Sequence, residues 1–421
     1  MKILNIVFLR RSVQVLQSIL VTYLVISKFT SVTQGYYYVY LSVFAMQLFF
    51  EAGIGGIINK YVLKSTAIQS TKSELWKFFE ISSTLFACTT ILSTVILMFV
   101  LLSFISSSDM MTKIWLTLTV FFNGISFYFV HFRNYFESMG QINSVQKVGV
   151  LTSLSYLVTF TICVFSDLGL FSLVISGFVQ LLLLFLLFKK LFYSNFKERK
   201  FSLLIVKFDL AIPFLKENRI LILRNFGSNL AGFFIFQFFT LVTFQLRGPI
   251  EAGKVGFALQ IFQTLNLFSS SFIYDKIPKI SLLLHRGIND DLYSFLRKII
   301  VISVTSVIAI GPLILFGLYL LMDFGILKES RFLDSPYFVA ILFCSLVVSI
   351  MQVYSSTVRV LLHEPYTLLS VCMGLLITVG NWLILKSQLP TGSIFLFFLV
   401  VLLLVQFPIE YKIFNKYTRS L

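Results

Sequence analysis

The sequence predicts an all-α polytopic membrane protein with about twelve transmembrane helices in two sets of six. Three observations predict it. Of the 421 residues 57% are hydrophobic, only 12% are charged, and the apolar residues gather in uncharged runs long enough to span a bilayer. Soluble domains carry roughly 25% charged residues, so a soluble fold is excluded. In hydrocarbon every backbone N–H and C=O must be paired within its own segment, which a helix achieves; barrel strands would alternate apolar and polar residues instead.

The apolar runs place helices near residues 12–30, 37–58, 80–105, 112–133, 145–165, 168–188, 219–246, 255–274, 299–322, 336–358, 366–386 and 392–412. The first follows Arg10 and Arg11 and lacks a small-x-small cleavage site, so it is expected to remain as a helix. With the N-terminus inside, the loops alternate, and 27 of the 34 Lys and Arg residues fall on the cytoplasmic side. The outer side holds seven: Lys28, Lys113, Arg247, Lys254, Lys328, Arg331 and Lys386. This asymmetry predicts both termini inside, and it accounts for the net charge of +16 without nucleic acid. Tyr36, Tyr37, Tyr38, Tyr40 and Trp115 read as interface anchors at the outer side. Cysteine labelling at Lys200 and Ser330 checks the frame; a Lys200→Cys variant labelled from outside intact cells overturns it.

The longest connection divides the chain into an N-terminal six-helix bundle (1–192), a cytoplasmic amphipathic linker (193–217) and a C-terminal six-helix bundle (218–421). Phe201, Leu204, Ile205, Phe208 and Ile212 follow helical spacing, which predicts an amphipathic helix lying on the inner leaflet. An internal repeat agrees with the division. Gly35 and Phe44 align with Gly253 and Phe262, and Glu74-Leu75-Trp76-Lys77-Phe78 with Asp291-Leu292-Tyr293-Ser294-Phe295 after a one-residue shift. Six helices per half make the repeats parallel.

No catalytic or metal constellation is expected. Cys88, Cys163, Cys344 and Cys372 each lie in an apolar run, and His131, His285 and His363 have no second ligand at metal-like spacing. Gly248-Pro249-Ile250-Glu251-Ala252-Gly253-Lys254 spells the start of a phosphate-binding loop. Val255 stands where Ser or Thr is needed for magnesium, and no strand precedes it, so the segment reads as an interhelical turn. Asn289-Asp290-Asp291 reads as a solvated loop. Gly311-Pro312 and Pro408 predict kinks in helices nine and twelve.

The remaining candidates are charged groups at or inside membrane helices. Glu51 is the one carboxylate clearly inside a helix; such a group faces protein or water, either to take a coupling proton or sodium ion or to hydrogen-bond a neighbouring helix. Arg224 and Asn225 lie early in helix seven, where the arginine either snorkels to the headgroups or faces a cavity. Arg133, Arg10, Arg11 and Lys254 sit near helix ends in the same two-way position. Together these cations suit an anionic substrate.

Several stretches resemble bacterial polysaccharide flippases of the multidrug/oligosaccharidyl-lipid/polysaccharide exporter superfamily. In the first half these are Gly35-Tyr36-Tyr37, Glu51-Ala52-Gly53-Ile54 and Tyr135-Phe136-Glu137-Ser138-Met139-Gly140; in the second, Glu251-Ala252-Gly253-Lys254-Val255-Gly256 followed by Pro278 and Ile280-Ser281. The resemblance implies two six-helix bundles around a central cavity open alternately to each side of the bacterial inner membrane. It implies a substrate of undecaprenyl-diphosphate-linked repeat units for O-antigen, lipopolysaccharide or capsule, with basic residues receiving the diphosphate. No cofactor is expected beyond a coupling proton or sodium ion, and the expected partners are membrane lipids, a polysaccharide polymerase and other assembly proteins. Two alternatives stay open: a multidrug or cation antiporter of the same fold, and a membrane polysaccharide polymerase. The polymerase would need a larger outer loop than residues 323–335.

Overall fold

Each of the twelve apolar stretches is helical over most of its length in the computed structural model, which describes residues 2–67, 72–106, 108–196, 202, 204–274, 276–277, 279–280, 283, 289–360 and 365–419. The helices are α1 (Lys2–Lys28), α2 (Ser31–Ala45), α3 (Gln47–Glu51), α4 (Ile54–Ala67), α5 (Lys72–Phe104), α6 (Met110–Tyr128), α7 (Val130–Ser138), α8 (Ile142–Phe165) and α9 (Phe171–Asn195). They continue as α10 (Phe208–Phe236), α11 (Phe238–Tyr274), α12 (Asn289–Asp323), α13 (Ser335–Val360), α14 (Thr367–Lys386), α15 (Ser393–Val401) and α16 (Phe407–Arg419).

Among the described residues, eight spans are by themselves long and apolar enough to cross a membrane, and ten if each of two bent pairs is one span. The sequence predicts about twelve. The first difference lies in α1, which brings Lys2, Arg10, Arg11 and Lys28 into one helix. The second lies in the stretches 219–246 and 255–274, which share one bent pair because helix resumes at once after a turn at Gly248 (φ 83°). The G-x-x-x-x-G-K sequence is thus a one-residue turn and the opening of a helix. Glycine supplies the left-handed conformation, and Pro249 suits the first helical position because its missing N–H has no partner there anyway.

The chain forms two compact units. Unit 1 comprises Met1–Leu24 and Tyr40–Asn229; unit 2 comprises Val25–Val39 and Leu230–Leu421. The division falls later than residue 218 because the start of α10 packs into unit 1. Ala211 and Phe214 join its buried aromatic core, the Tyr61 and Phe214 rings lie 5.4 Å apart, and the Tyr61 hydroxyl donates to Glu217 Oε1 at 3.2 Å. That core gathers Trp76, Phe79, Phe86, Phe132, Tyr135 and Phe192 from α5, α7 and α9. In unit 2, α11, α12 and α13 pack on one another, and α15 and α16 pack on α13.

The amphipathic linker helix is not observed where the chain is described. Residues 204–207 are non-helical, and α5 supplies their hydrogen bonds: the Ile205 N–H donates to Ser83 Oγ at 3.1 Å and the Lys207 N–H to Thr84 Oγ1 at 2.8 Å. With its backbone satisfied by another element, the segment has no need to coil on itself. Phe201 lies outside the described residues, whereas Phe208 and Ile212 belong to α10.

Two further details depart from simple helices. The predicted helix 37–58 breaks after Glu51, where Ala52 (φ 49°) and Gly53 (φ 70°) are left-handed and the two flanking segments meet at 43°. Gly53 also lies so close to Asn225 that a Cβ there would fall 2.3 Å from Nδ2. In the last span the chain relaxes into a π-helical turn, Leu402–Gln406, just ahead of Pro408. Proline crowds the carbonyl four residues back, and the wider turn relieves that contact. Outside the spans, Asp109 caps α6 by accepting from the Thr112 N–H at 3.0 Å. Hydrogen bonds from Thr112 hold its carboxyl below the usual carboxylate range. The cap is therefore complete above the ordinary carboxylate pKa and is lost as pH falls through the lowered one.

Candidate functional site

Unit 1 holds an open-sided cavity of about 160 Å³. Among the described residues its charged lining consists of Arg10 from α1 and Arg133 from α7, with no carboxylate. Gln14, Ser126, Thr152, Ser153 and Gln180 add amides and hydroxyls, while Phe129, Val148 and Phe188 close the apolar side. The sequence places these groups by helical periodicity. Gln14 is four residues beyond Arg10 and shares its face, and Gly149 and Ser153 share one face of α8. Gly149 admits the arginine: a Cβ there would fall 2.5 Å from Arg10 Nε.

The two guanidinium groups act on each other as like charges. Arg10 Nη1 donates to Gln146 Oε1 at 3.0 Å and lies 3.8 Å from Glu137 Oε1, while its buried Nε has no hydrogen-bond partner. Among the described residues, the Arg133 side chain makes no hydrogen bond and no ion pair. Confining two like charges around a polar void is costly unless an anion or water enters it. The cavity has room for several waters or a phosphate-sized group, and not for an oligosaccharide.

The other candidates fall elsewhere. Glu51 ends α3 at the helix break, and Arg133 is the charge that acts on it. Asn225 packs on Gly53 beside that break. Arg224 is exposed on α10, and Arg11 is half-buried on α1; neither lines this cavity. Lys254 in unit 2 pairs with Glu251 at 2.7 Å within the first turns after Gly248, so it is already neutralised. The structure thus brings Arg10 and Arg133 to one cavity, while Arg224 and Arg11 do not line it and Lys254 belongs to unit 2.

Sequence reasoning missed Glu137 and Gln146 as site residues, although Glu137 stands four residues after Arg133 and so on the same side of α7. It also missed Glu410, which corrects the reading of Glu51 as the one carboxylate inside a helix. Glu410 is 94% buried in unit 2, and Gln406 Nε2 donates to its Oε1 at 3.0 Å. Its position near the end of the last apolar run hides its burial, which comes from packing against α13.

No protein-family model and no curated protein matches the sequence. Solved structures match its fold. An inward-facing multidrug resistance MATE family transporter of the MOP superfamily superposes with TM-score 0.69 at 12% identity, over 96% of this chain and 94% of that one. The MATE multidrug transporter DinF-BH gives 0.68 at 14% identity, over 99% and 95%. The lipid II flippase MurJ in an inward closed conformation gives 0.58 at 16%, over 98% and 89%. The chain is thus a multi-pass, all-α membrane protein with the fold of MOP-superfamily transporters.

Proposed function

We propose that the protein is a non-enzymatic flippase that carries an anionic, lipid-linked oligosaccharide repeat unit across the bacterial cytoplasmic membrane by alternating access. The observation that carries this reading is the unit 1 cavity, with two guanidinium groups and no carboxylate in its lining. Arginine forks match the geometry of phosphate oxygens, and a diphosphate head needs such donors once it leaves water. The glycan and its charged linker cannot cross hydrocarbon unaided, since each unpaired polar group costs several kcal/mol. One structural neighbour is named a lipid II flippase, which supports a lipid-linked cargo. The fold likeness supports multidrug export equally, because other neighbours are named multidrug transporters. The sign of the charge that lines the cavity favours the anion.

Glu51 is the proposed coupling group, for a proton or a sodium ion. Arg224, Asn225 and Arg11 remain proposed cargo contacts outside the unit 1 cavity, and Lys254 would serve as one only on leaving its pair with Glu251. Membrane lipids, a polysaccharide polymerase and other assembly proteins are the proposed partners, and O-antigen or capsule the proposed pathway.

Deleting the gene is expected to leave completed carrier-linked repeat units on the cytoplasmic face and no mature surface polysaccharide. Single flipped units accumulating in the periplasm instead would establish the polymerase reading and end this one.

A further inference from the structure

A carboxylate stands just behind the cavity wall. Glu137 Oε1 lies 3.8 Å from Arg10 Nη1, and buried Gln146 joins the two. Gln146 Oε1 accepts from Arg10 Nη1 at 3.0 Å, and Gln146 Nε2 donates to Glu137 Oε1 at 3.0 Å. Both ends of the amide are used, so its orientation is dictated: carbonyl toward the cation, NH2 toward the anion. Helix α7 therefore presents a cation, Arg133, to the cavity and, one turn later, an anion to the cation contributed by α1. Glu137 and Arg133 are spaced for an i,i+4 pair, yet Glu137 engages Arg10 and Arg133 stays without an ion pair among the described residues.

We propose that Glu137 is a built-in counter-ion that sets how tightly the cavity holds its anionic ligand. It offsets part of the Arg10 charge from outside the cavity while, through Gln146, it keeps the guanidinium aimed at the lining. The inference rests on the reading that this cavity receives the charged head of the cargo. A carrier has to bind well enough to load and weakly enough to unload. Two fully uncompensated guanidinium groups would load well and unload slowly; a counter-ion on one of them lies between those limits. Glu137 is accordingly a positioning and affinity-setting residue that need not touch the ligand.

Glu137→Gln separates the two roles, because the amide carbonyl still accepts from Gln146 while the negative charge is gone. Inorganic pyrophosphate titrated calorimetrically into the purified full-length protein in detergent is the probe. Glu137→Gln is expected to bind it at least about threefold more tightly than the unmodified protein, from the charge removed next to Arg10. The gain should vanish in the double variant Arg10→Gln/Glu137→Gln, since the effect runs through Arg10. A merely structural Glu137 predicts the reverse, weaker binding together with a lower melting temperature. Affinity equal to or below that of the unmodified protein, or a gain that survives loss of Arg10, overturns the counter-ion role. If the unmodified protein binds and Glu137→Gln shows no gain, only this inference fails; if no variant binds pyrophosphate, the cavity reading falls and takes the inference with it.

Discussion

Arg133→Gln should lower pyrophosphate affinity and cargo translocation by about ten- to a hundredfold while leaving the melting temperature unchanged. Hydrogen bonds to charged groups contribute about 1.5–3 kcal/mol each, and every 1.4 kcal/mol is a factor of ten in binding. The Arg133 side chain makes no hydrogen bond or ion pair among the described residues, so removing its charge breaks no such contact in the resting fold. Its loss should therefore register chiefly when a ligand is present. Arg10→Gln should cost similar affinity but also some stability, because Arg10 is tied to Gln146 and Glu137. Arg133→Lys should retain part of the activity, since an ammonium keeps the charge and gives up the planar fork. Pyrophosphate titration and the amount of surface polysaccharide in cells carrying each variant at equal protein level are the measurements. Undiminished export by Arg133→Gln would remove the cavity from the translocation path.

Gly35→Ala should destabilise unit 2 by about 3 kcal/mol, the upper end for forcing an extra methyl into a packed site. A Cβ on Gly35 would fall 2.0 Å from the carbonyl oxygen of Pro249 and 2.6 Å from its carbonyl carbon. Those are backbone atoms, so neither helix can yield by rotating a side chain. The same approach explains Gly256, where a Cβ would fall 2.3 Å from Tyr38 Cβ, and it brings Gln34 Nε2 within 3.3 Å of the Gly253 carbonyl. Gly56→Ala is the matched control: it lies in α4 with nothing within 4 Å of an added Cβ and should be neutral or mildly stabilising through helix propensity. Thermal melting in detergent compares the two. Equal melting temperatures for Gly35→Ala and the unmodified chain would show that α2 and the start of α11 do not need this contact.

Glycine is the one residue type whose structural meaning was partly readable in advance. Gly35 and Gly253 align across the two halves, and the structure shows the chain passing within contact distance at both. Gly53 gave no comparable signal, because the Asn225 side chain packed against it comes from a helix far away in sequence. The linker shows the same limit. Leu204, Ile205 and Phe208 carry a helical pattern, yet Ser83 and Thr84 offer residues 204–207 an extended alternative that no local pattern registers.

The sequence by itself determined the all-α membrane class and where helices form, because a bilayer solvent forces every uncharged apolar run of sufficient length to satisfy its own backbone, residue by residue. It also named Arg10 and Arg133 as charges needing an explanation. Only the tertiary structure decided that these two share a cavity, that Lys254 is neutralised by Glu251, that Glu137 and Gln146 stand behind Arg10, and that Glu410 is buried. Hydropathy records the cost of moving one segment into hydrocarbon. Which charge faces which depends on pairwise packing between segments far apart in the chain, and that cost appears only once they meet.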